Sequence, residues 1–198
     1  TQWQPSLGKA AMPSWSRIAT RMRVPLGFVF AAAYFWFARP QWLFIAAGGV
    51  AVVAGILVRA VSSGHIRKNA ELTTTGPYAY TRNPLYLGSV LIAIGFAVAA
   101  RNWWIAGGAL LMFLAIYLPV IRAEEKYLRS IFPDYDQYAA RVPRLLPRLT
   151  PYRNAVESVA PAQQFSMELY LRHREYNAAI GSACMLGALI LKMVLVQH

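Results

Sequence analysis

The sequence predicts an all-α, multi-pass transmembrane helical bundle of about five spans, with cytoplasmic amphipathic and lid segments. Three observations carry this prediction. The 198 residues are 57% hydrophobic and only 14% charged, too apolar for an ordinary soluble protein of this size. The apolar residues gather into long runs broken by short polar stretches, the pattern of membrane helices. The bases are sorted to one side of those runs. On a soluble chain a net charge of +12 would point to nucleic acid. Here the bases flank apolar spans, and no DNA- or RNA-binding motif is present.

Residues 1–23 carry Trp3, Leu7, Met12, Trp15 and Ile18 among polar and basic residues. They are expected to lie on the membrane surface as an amphipathic leading segment. Their lack of an apolar run argues against a cleavable signal peptide. The first span is Val24–Ala38, and Arg39-Pro40-Gln41 turns the chain into the second, Trp42–Val58. The third is Pro84–Ala100 and the fourth Trp103–Val120, joined by Arg101-Asn102. The fifth, Asn177–Val196, stands apart near the C-terminus. A span needs about 20 apolar residues, and shorter ones are tolerated by bilayer thinning or protein packing. One integral-membrane domain is expected over 1–198, its core at 24–150 and a linker plus the fifth span at 151–198. Pro147 to Pro161 reads as the most flexible stretch. Small residues at helical spacing, Gly27 and Ala31 in the first span and Ala179, Ala183 and Gly187 in the fifth, read as ordinary packing. Cys184, the lone cysteine, reads as small apolar filler.

The charges set the topology. With a cytoplasmic N-terminus, five spans place the C-terminus on the opposite side. The cytoplasmic segments then hold 17 of the 20 basic residues, leaving only Arg39, Arg101 and Lys192 at the other face. This is a strong positive-inside asymmetry. All eight carboxylates fall on the cytoplasmic side too, so ionisable chemistry belongs there.

Three polar constellations stand out. The first is the cassette Gly76-Pro77-Tyr78-Ala79-Tyr80-Thr81-Arg82-Asn83-Pro84-Leu85-Tyr86-Leu87-Gly88. Asn83 suits an N-cap and Pro84 the first helical position, so the third span aims its N-terminal amides at the cassette. A helix N-terminus favours an anion, and Arg82 can add a bidentate contact. Tyr78, Tyr80 and Tyr86 can stack on a flat ring or donate hydroxyls. The second constellation is Glu124-Glu125, on a helix expected over Val120–Phe132. Glu125 falls among Ile121, Leu128 and Phe132 on the apolar face. A carboxylate there is costly unless a cation meets it. That cation is either an arginine, Arg82 or Arg141, or a charged ligand. Pro119 should kink the span and free the Ala115 carbonyl. The third constellation, Phe132-Pro133-Asp134-Tyr135-Asp136-Gln137-Tyr138 with Arg141-Val142-Pro143-Arg144, suggests a lid on the membrane surface. His65 and Lys68 stand in the loop after the second span and join the candidate binding residues. No metal site is expected, since His65, His173 and His198 are far apart with no ligand spacing near them.

Taken in this order, the constellations resemble the isoprenylcysteine carboxyl methyltransferase family and its relatives, the phospholipid methyltransferases. The likeness covers about residues 50–148, through Gly76-Pro77-Tyr78, Arg82-Asn83-Pro84-Leu85-Tyr86-Leu87-Gly88, Glu124-Glu125, Phe132 to Tyr135, Tyr138 and Arg141 to Arg144. Asn83 stands where the family usually has His; hydrogen bonding survives that exchange, while an imidazole's proton chemistry does not. The resemblance implies S-adenosylmethionine (SAM) as methyl donor, in a cytoplasm-facing pocket roofed by the C-terminal segment. A small lipophilic acceptor would enter from the bilayer: an isoprenylcysteine carboxylate, a phospholipid amine or another lipid. Gly76, Pro77, Tyr78, Arg82, Asn83, Pro84, Tyr86, Gly88, Glu124, Glu125, Tyr138, His65 and Lys68 are then the cofactor-binding candidates. The catalytic candidates are Glu125, Glu124 and Arg141, with Arg141 positioning a carboxylate acceptor, or a glutamate taking a proton from an amine. Two other readings compete. A sterol-type membrane reductase shares a related helical core and an Asn-Pro motif but uses NADPH, and this chain is short for that family. A non-catalytic scaffold or small transporter should place polar residues inside the spans, whereas here they gather at one face.

Overall fold

The computed structural model describes residues 14–67, 71–153 and 164–196. The described residues form helices and turns with no strand, the all-helical bundle that the apolar runs demand. Five apolar helices build it. Trp42–His65, Trp103–Ile131 and Tyr176–Leu195 are each long and apolar enough to cross a bilayer, and Leu26–Phe37 and Pro84–Ala100 are shorter apolar stretches.

Helix α1, Ser14–Phe37, runs unbroken through Pro25. Residues 14–23, expected to form a separate surface segment, therefore belong to the same helix as the first span; residues 1–13 lie outside the described residues. Helix α2 spans Trp42–His65, seven residues past the expected end at Val58. The cost of ending a helix against open carbonyls favours continuing it through Arg59 and the small polar residues beyond. His65 is thus the last helical residue rather than part of a loop, and Lys68 lies outside the described residues.

Helix α3, Pro84–Ala100, starts and stops where the sequence says. It crosses α2 very closely through facing glycines. A Cβ on Gly55 would stand 2.6 Å from the Gly88 carbonyl oxygen, and one on Gly88 would stand 2.7 Å from that of Gly55. Gly48 and Gly95 repeat this contact two turns away. Gly88, a cofactor-binding candidate by the resemblance, thus packs α3 against α2 and is not part of the lining of the hollow described below. The small residues noted in the first and fifth spans do less: a Cβ on Gly27 or Gly187 would meet nothing within 4 Å. Helix α4, Trp103–Met112, leads through a π-helical turn, Phe113–Tyr117, into α5, Leu118–Ile131. The wide turn absorbs the irregularity that Pro119 imposes, and Ala115 is not left without a partner as expected. Two short helices follow, α6 at Tyr135–Arg141 and α7 at Met167–Arg172, before α8 at Tyr176–Val196.

The end of the bundle away from the cassette is closed by polar contacts. Lys192 of α8 donates to the carbonyls of Phe35, Trp36 and Ala38, which otherwise would end α1 without donors for their lone pairs. Asn102 caps α4 by accepting from the Trp104 amide at 2.9 Å and donates to the Phe37 carbonyl at 3.0 Å. Trp36, Trp42, Trp103 and Trp104 are exposed around this end, as interfacial aromatics are in membrane proteins.

Candidate active site

At the opposite end lies a hollow of about 680 Å³, within the range of small-molecule sites. It is framed by the end of α2, the cassette, the start of α3, the outer half of α5, α6 and the residue that leads into α8. Charge comes from Arg59, Arg67, Glu71, Arg82, Glu124 and Glu175, and aromatic wall from Phe132 and six tyrosines, among them Tyr78, Tyr86, Tyr135 and Tyr138.

The cassette folds as a single 3-10 turn, Gly76–Ala79, with Pro77 in its first turn. That turn buries Tyr78, at 6% exposure, against the hollow. The Tyr78 hydroxyl and the Arg82 Nε are both buried without a hydrogen-bond partner among the described residues. Such groups are costly in a finished core and suit a site that receives a polar ligand. Burial, reinforced by the charges of Glu124 and Glu175, holds the Tyr78 phenol above its ordinary pKa. Burial does the same at Tyr138 and Tyr135, so all three work as neutral hydrogen-bonding groups. Gly76 adopts the left-handed conformation (φ 57°), and a Cβ there would press on the His65 ring. Gly76, Pro77 and His65 therefore shape the turn from behind and do not line the hollow; the His65 Nδ1 pairs with the Val61 carbonyl at 2.8 Å.

Asn83 occupies the N-cap position of α3 but does not cap it with its side chain. Its amide instead donates to Glu125 at 3.1 Å and to the Arg144 carbonyl at 3.0 Å. Glu125 is 5% exposed. It also accepts from the Arg144 Nε at 2.8 Å and lies 3.6 Å from Arg82. The hydrogen bond to Glu125 raises the Arg144 pKa. So the two glutamates part company. Glu125 is saturated by protein donors and sits behind the wall, holding Arg82 in place. Glu124 lines the hollow and accepts from the Tyr86 hydroxyl at 3.0 Å.

The segment expected to form a lid is strapped to the cassette. Tyr138 donates to the Tyr78 carbonyl at 2.7 Å. The Arg82 amide donates to the Pro143 carbonyl at 3.0 Å, the Arg148 amide to Tyr80 at 3.0 Å and the Tyr152 amide to Ala79 at 2.8 Å. The Thr81 hydroxyl reaches the Leu145 carbonyl at 3.0 Å. This strap also fixes residues 147–153 of the stretch expected to be flexible; residues 154–161 of it lie outside the described residues. Arg141, expected to position an acceptor, is exposed and outside the hollow. Helix α6 ends there, Val142 turns inward, and Arg144 rather than Arg141 reaches Glu125.

Some residues that line the hollow carry no signal in the sequence, among them Arg59, Ser89 and Glu175. Arg59 was hidden because it closes an apolar run and reads as a topological charge. Ser89 sits inside a span with no polar neighbour. Glu175 lies far along the chain and carries no local signal. Among the described residues, no three His, Cys, Asp or Glu side chains gather as a metal site would require.

A second hollow of about 1040 Å³ lies among the apolar helices, lined by residues of α1, α3, α4 and α8 such as Phe30, Phe96, Ile105 and Met185. It shares Arg59, Ser89 and Tyr117 with the polar hollow. A helical bundle with long apolar helices, a charged hollow at one end and an apolar one beside it is the architecture of an integral-membrane protein. Residues 43–135 match the family model described as phospholipid methyltransferase, so the resemblance read from the sequence is shown over that segment. The match begins before residue 50 and stops short of Arg141–Arg144.

Among curated relatives, the cobalt-zinc-cadmium resistance protein CzcN of Cupriavidus metallidurans is 39% identical over 44% of this chain and 40% of its own length. The nickel-cobalt-cadmium resistance protein NccN of Alcaligenes xylosoxydans xylosoxydans is 39% identical over 44% of this chain and 41% of its own. The protein-S-isoprenylcysteine O-methyltransferase of Schizosaccharomyces pombe is 36% identical over 40% of this chain and 34% of its own. The chain thus spans about two fifths or less of the length of the curated relatives it matches. No solved structure is a significant match.

Proposed function

We propose that this chain is a SAM-dependent methyltransferase of the membrane that acts on a small lipophilic acceptor, with its site on the cytoplasmic side. One observation carries the reading: a charged, tyrosine-lined hollow and an apolar hollow share a wall at Arg59, Ser89 and Tyr117. A transferase that passes a methyl group from a charged nucleoside to a lipid needs both compartments and a common wall between them. The unpartnered Tyr78 hydroxyl and Arg82 Nε support a polar ligand in the first.

The residues fit SAM by their chemistry. Arg82, with the first turn of α3 beside it, suits the carboxylate. Glu124 suits the ammonium, and Tyr78, Tyr86 and Tyr138 suit the adenine and the sulfonium. When bound, SAM supplies an electrophilic methyl group. The chain's part is to orient both reactants and hold them in contact, since positioning alone lowers such a barrier by several kcal/mol, up to about 7–11. Arg82 is held for this by Glu125, and Tyr78 by the bond from Tyr138. For an amine acceptor, Glu124 is a carboxylate in the hollow able to take the proton. The charge pattern supports a cytoplasmic N-terminus and an opposite C-terminus.

Purified protein in nanodiscs tests the reading. SAM or S-adenosylhomocysteine should raise the melting temperature, NADPH should not, and label from methyl-tritiated SAM should enter a lipid of a membrane extract. Stabilisation by NADPH alone would favour the reductase, and no response to either would favour a scaffold or transporter.

A further inference from the structure

We propose that residues 141–153 form a docking surface for anionic lipid at the bilayer face, with Leu146 and Leu149 seated among the acyl chains and Arg141, Arg148 and Arg153 at the head-group phosphates. The inference stands apart from the methyltransferase reading, because it concerns the outer side of the strap and not the hollow. The stretch Arg141-Val142-Pro143-Arg144-Leu145-Leu146-Pro147-Arg148-Leu149-Thr150-Pro151-Tyr152-Arg153 holds no acid. Arg144 is neutralised by Glu125. Arg148 donates to the Arg141 carbonyl at 3.0 Å and to the Thr150 hydroxyl at 3.3 Å, both uncharged. Among the described residues no acid pairs with Arg141, Arg148 or Arg153. Between these bases Leu146 is 76% and Leu149 99% exposed.

The backbone keeps those leucines outward. It is hydrogen-bonded to the cassette at Pro143, Leu145, Arg148 and Tyr152, and Pro143, Pro147 and Pro151 fix φ at regular intervals along it. A segment already set in its docked form binds with little further ordering cost. The depth of this surface follows from helix length. Helix α3 has 17 residues, a rise of about 25 Å, against about 30 Å of hydrocarbon. The exposed Trp103 and Trp104 follow its C-terminal end and anchor that end at one interface. Its first residue, Pro84, then reaches no farther than the other interface. The strap is hydrogen-bonded to Thr81 and Arg82, just ahead of Pro84. It therefore lies at head-group depth, where basic and apolar side chains together bind lipid. The unneutralised arginines select anionic lipid, and on the proposed topology this face is cytoplasmic, the side on which such lipids lie.

The whole chain in nanodiscs tests this, with phosphatidylcholine alone or with a third of it replaced by phosphatidylserine at equal salt. Cys184→Ala removes the lone native thiol, and Leu149→Cys then carries an environment-sensitive dye. The dye should shift to the blue and be quenched by lipids spin-labelled near the head group, and phosphatidylserine should strengthen both effects. Leu146→Cys should report the same. Each arginine near an anionic surface changes the docked-to-free ratio about fivefold. Arg141→Gln with Arg153→Gln should therefore lower that ratio about twentyfold in the serine lipid and leave the melting temperature in neutral nanodiscs unchanged. Molar salt should act as the double variant does. A dye that stays in water in both lipids overturns the inference. Equal burial in both lipids also overturns it, since apolar anchoring alone would then hold the loop. So does burial in detergent that grows with protein concentration, the mark of a second copy covering the leucines.

Discussion

Replacing Glu125 by Gln separates a buried strut from a ligand contact. The carboxylate is 5% exposed and holds Arg144, Arg82 and Asn83. Neutralising it strands two cations unequally. The Arg144 side chain is 42% exposed and can turn to water, so its loss is worth no more than about 1 kcal/mol. The Arg82 side chain is 11% exposed, and breaking a buried pair from one side costs about 3–5 kcal/mol. Glutamine keeps an acceptor for Asn83, so the lower figure applies, a loss of about 3 kcal/mol. In a chain of this length each kcal/mol moves the melting temperature by about 2–4 °C, hence a fall of roughly 6–12 °C.

Glu124→Gln should behave differently. Glu124 is exposed at the hollow, so stability should change by less than about 1 kcal/mol. SAM affinity should drop about tenfold as a charge-assisted contact is lost. Thermal unfolding followed by tryptophan fluorescence, with isothermal titration of SAM at a temperature where both variants stay folded, provides the two readouts. The assignment fails if Glu125→Gln melts like wild type and loses SAM as completely as Glu124→Gln.

Other perturbations follow from the same geometry. Gly88→Ala should force α2 and α3 apart, because the new Cβ meets backbone oxygen at 2.7 Å; overpacking of this kind costs about 1–3 kcal/mol, seen as a lower melting temperature. Tyr138→Phe removes the bond to the Tyr78 carbonyl and should cost about 1–2 kcal/mol. Because burial raises the Tyr138 pKa, its neutral form stabilises the fold fully below the ordinary phenol range near pH 10. That contribution is lost as pH climbs higher, so the melting temperature of wild type should fall more steeply above pH 10 than that of Tyr138→Phe. Lys192→Met should uncover the carbonyls of Phe35, Trp36 and Ala38 and lower stability by about 1–3 kcal/mol; an unchanged melting temperature would show that those carbonyls find other donors.

Much of the bundle could be read from residue order alone. The bounds of α3 follow from Asn83-Pro84 and Arg101-Asn102, because local backbone chemistry starts and stops a helix. The end of α2 did not, because polarity at Arg59 marks where a span meets water, not where its hydrogen bonds stop. The cassette, Glu124 and Tyr138 could be picked out by residue type and spacing, and the structure brings Tyr78, Arg82, Asn83, Pro84, Tyr86, Glu124 and Tyr138 to one hollow.

Sequence order by itself determined that this chain is a set of apolar helices with its charged chemistry at one end, because hydrophobic patterning and charge sorting are local and additive. Only the tertiary structure decided which glutamate faces the hollow, which arginine answers Glu125, and that Glu175 reaches back to Arg59. Those choices depend on helix rotation and on contacts between residues as much as 116 positions apart, which no local pattern records.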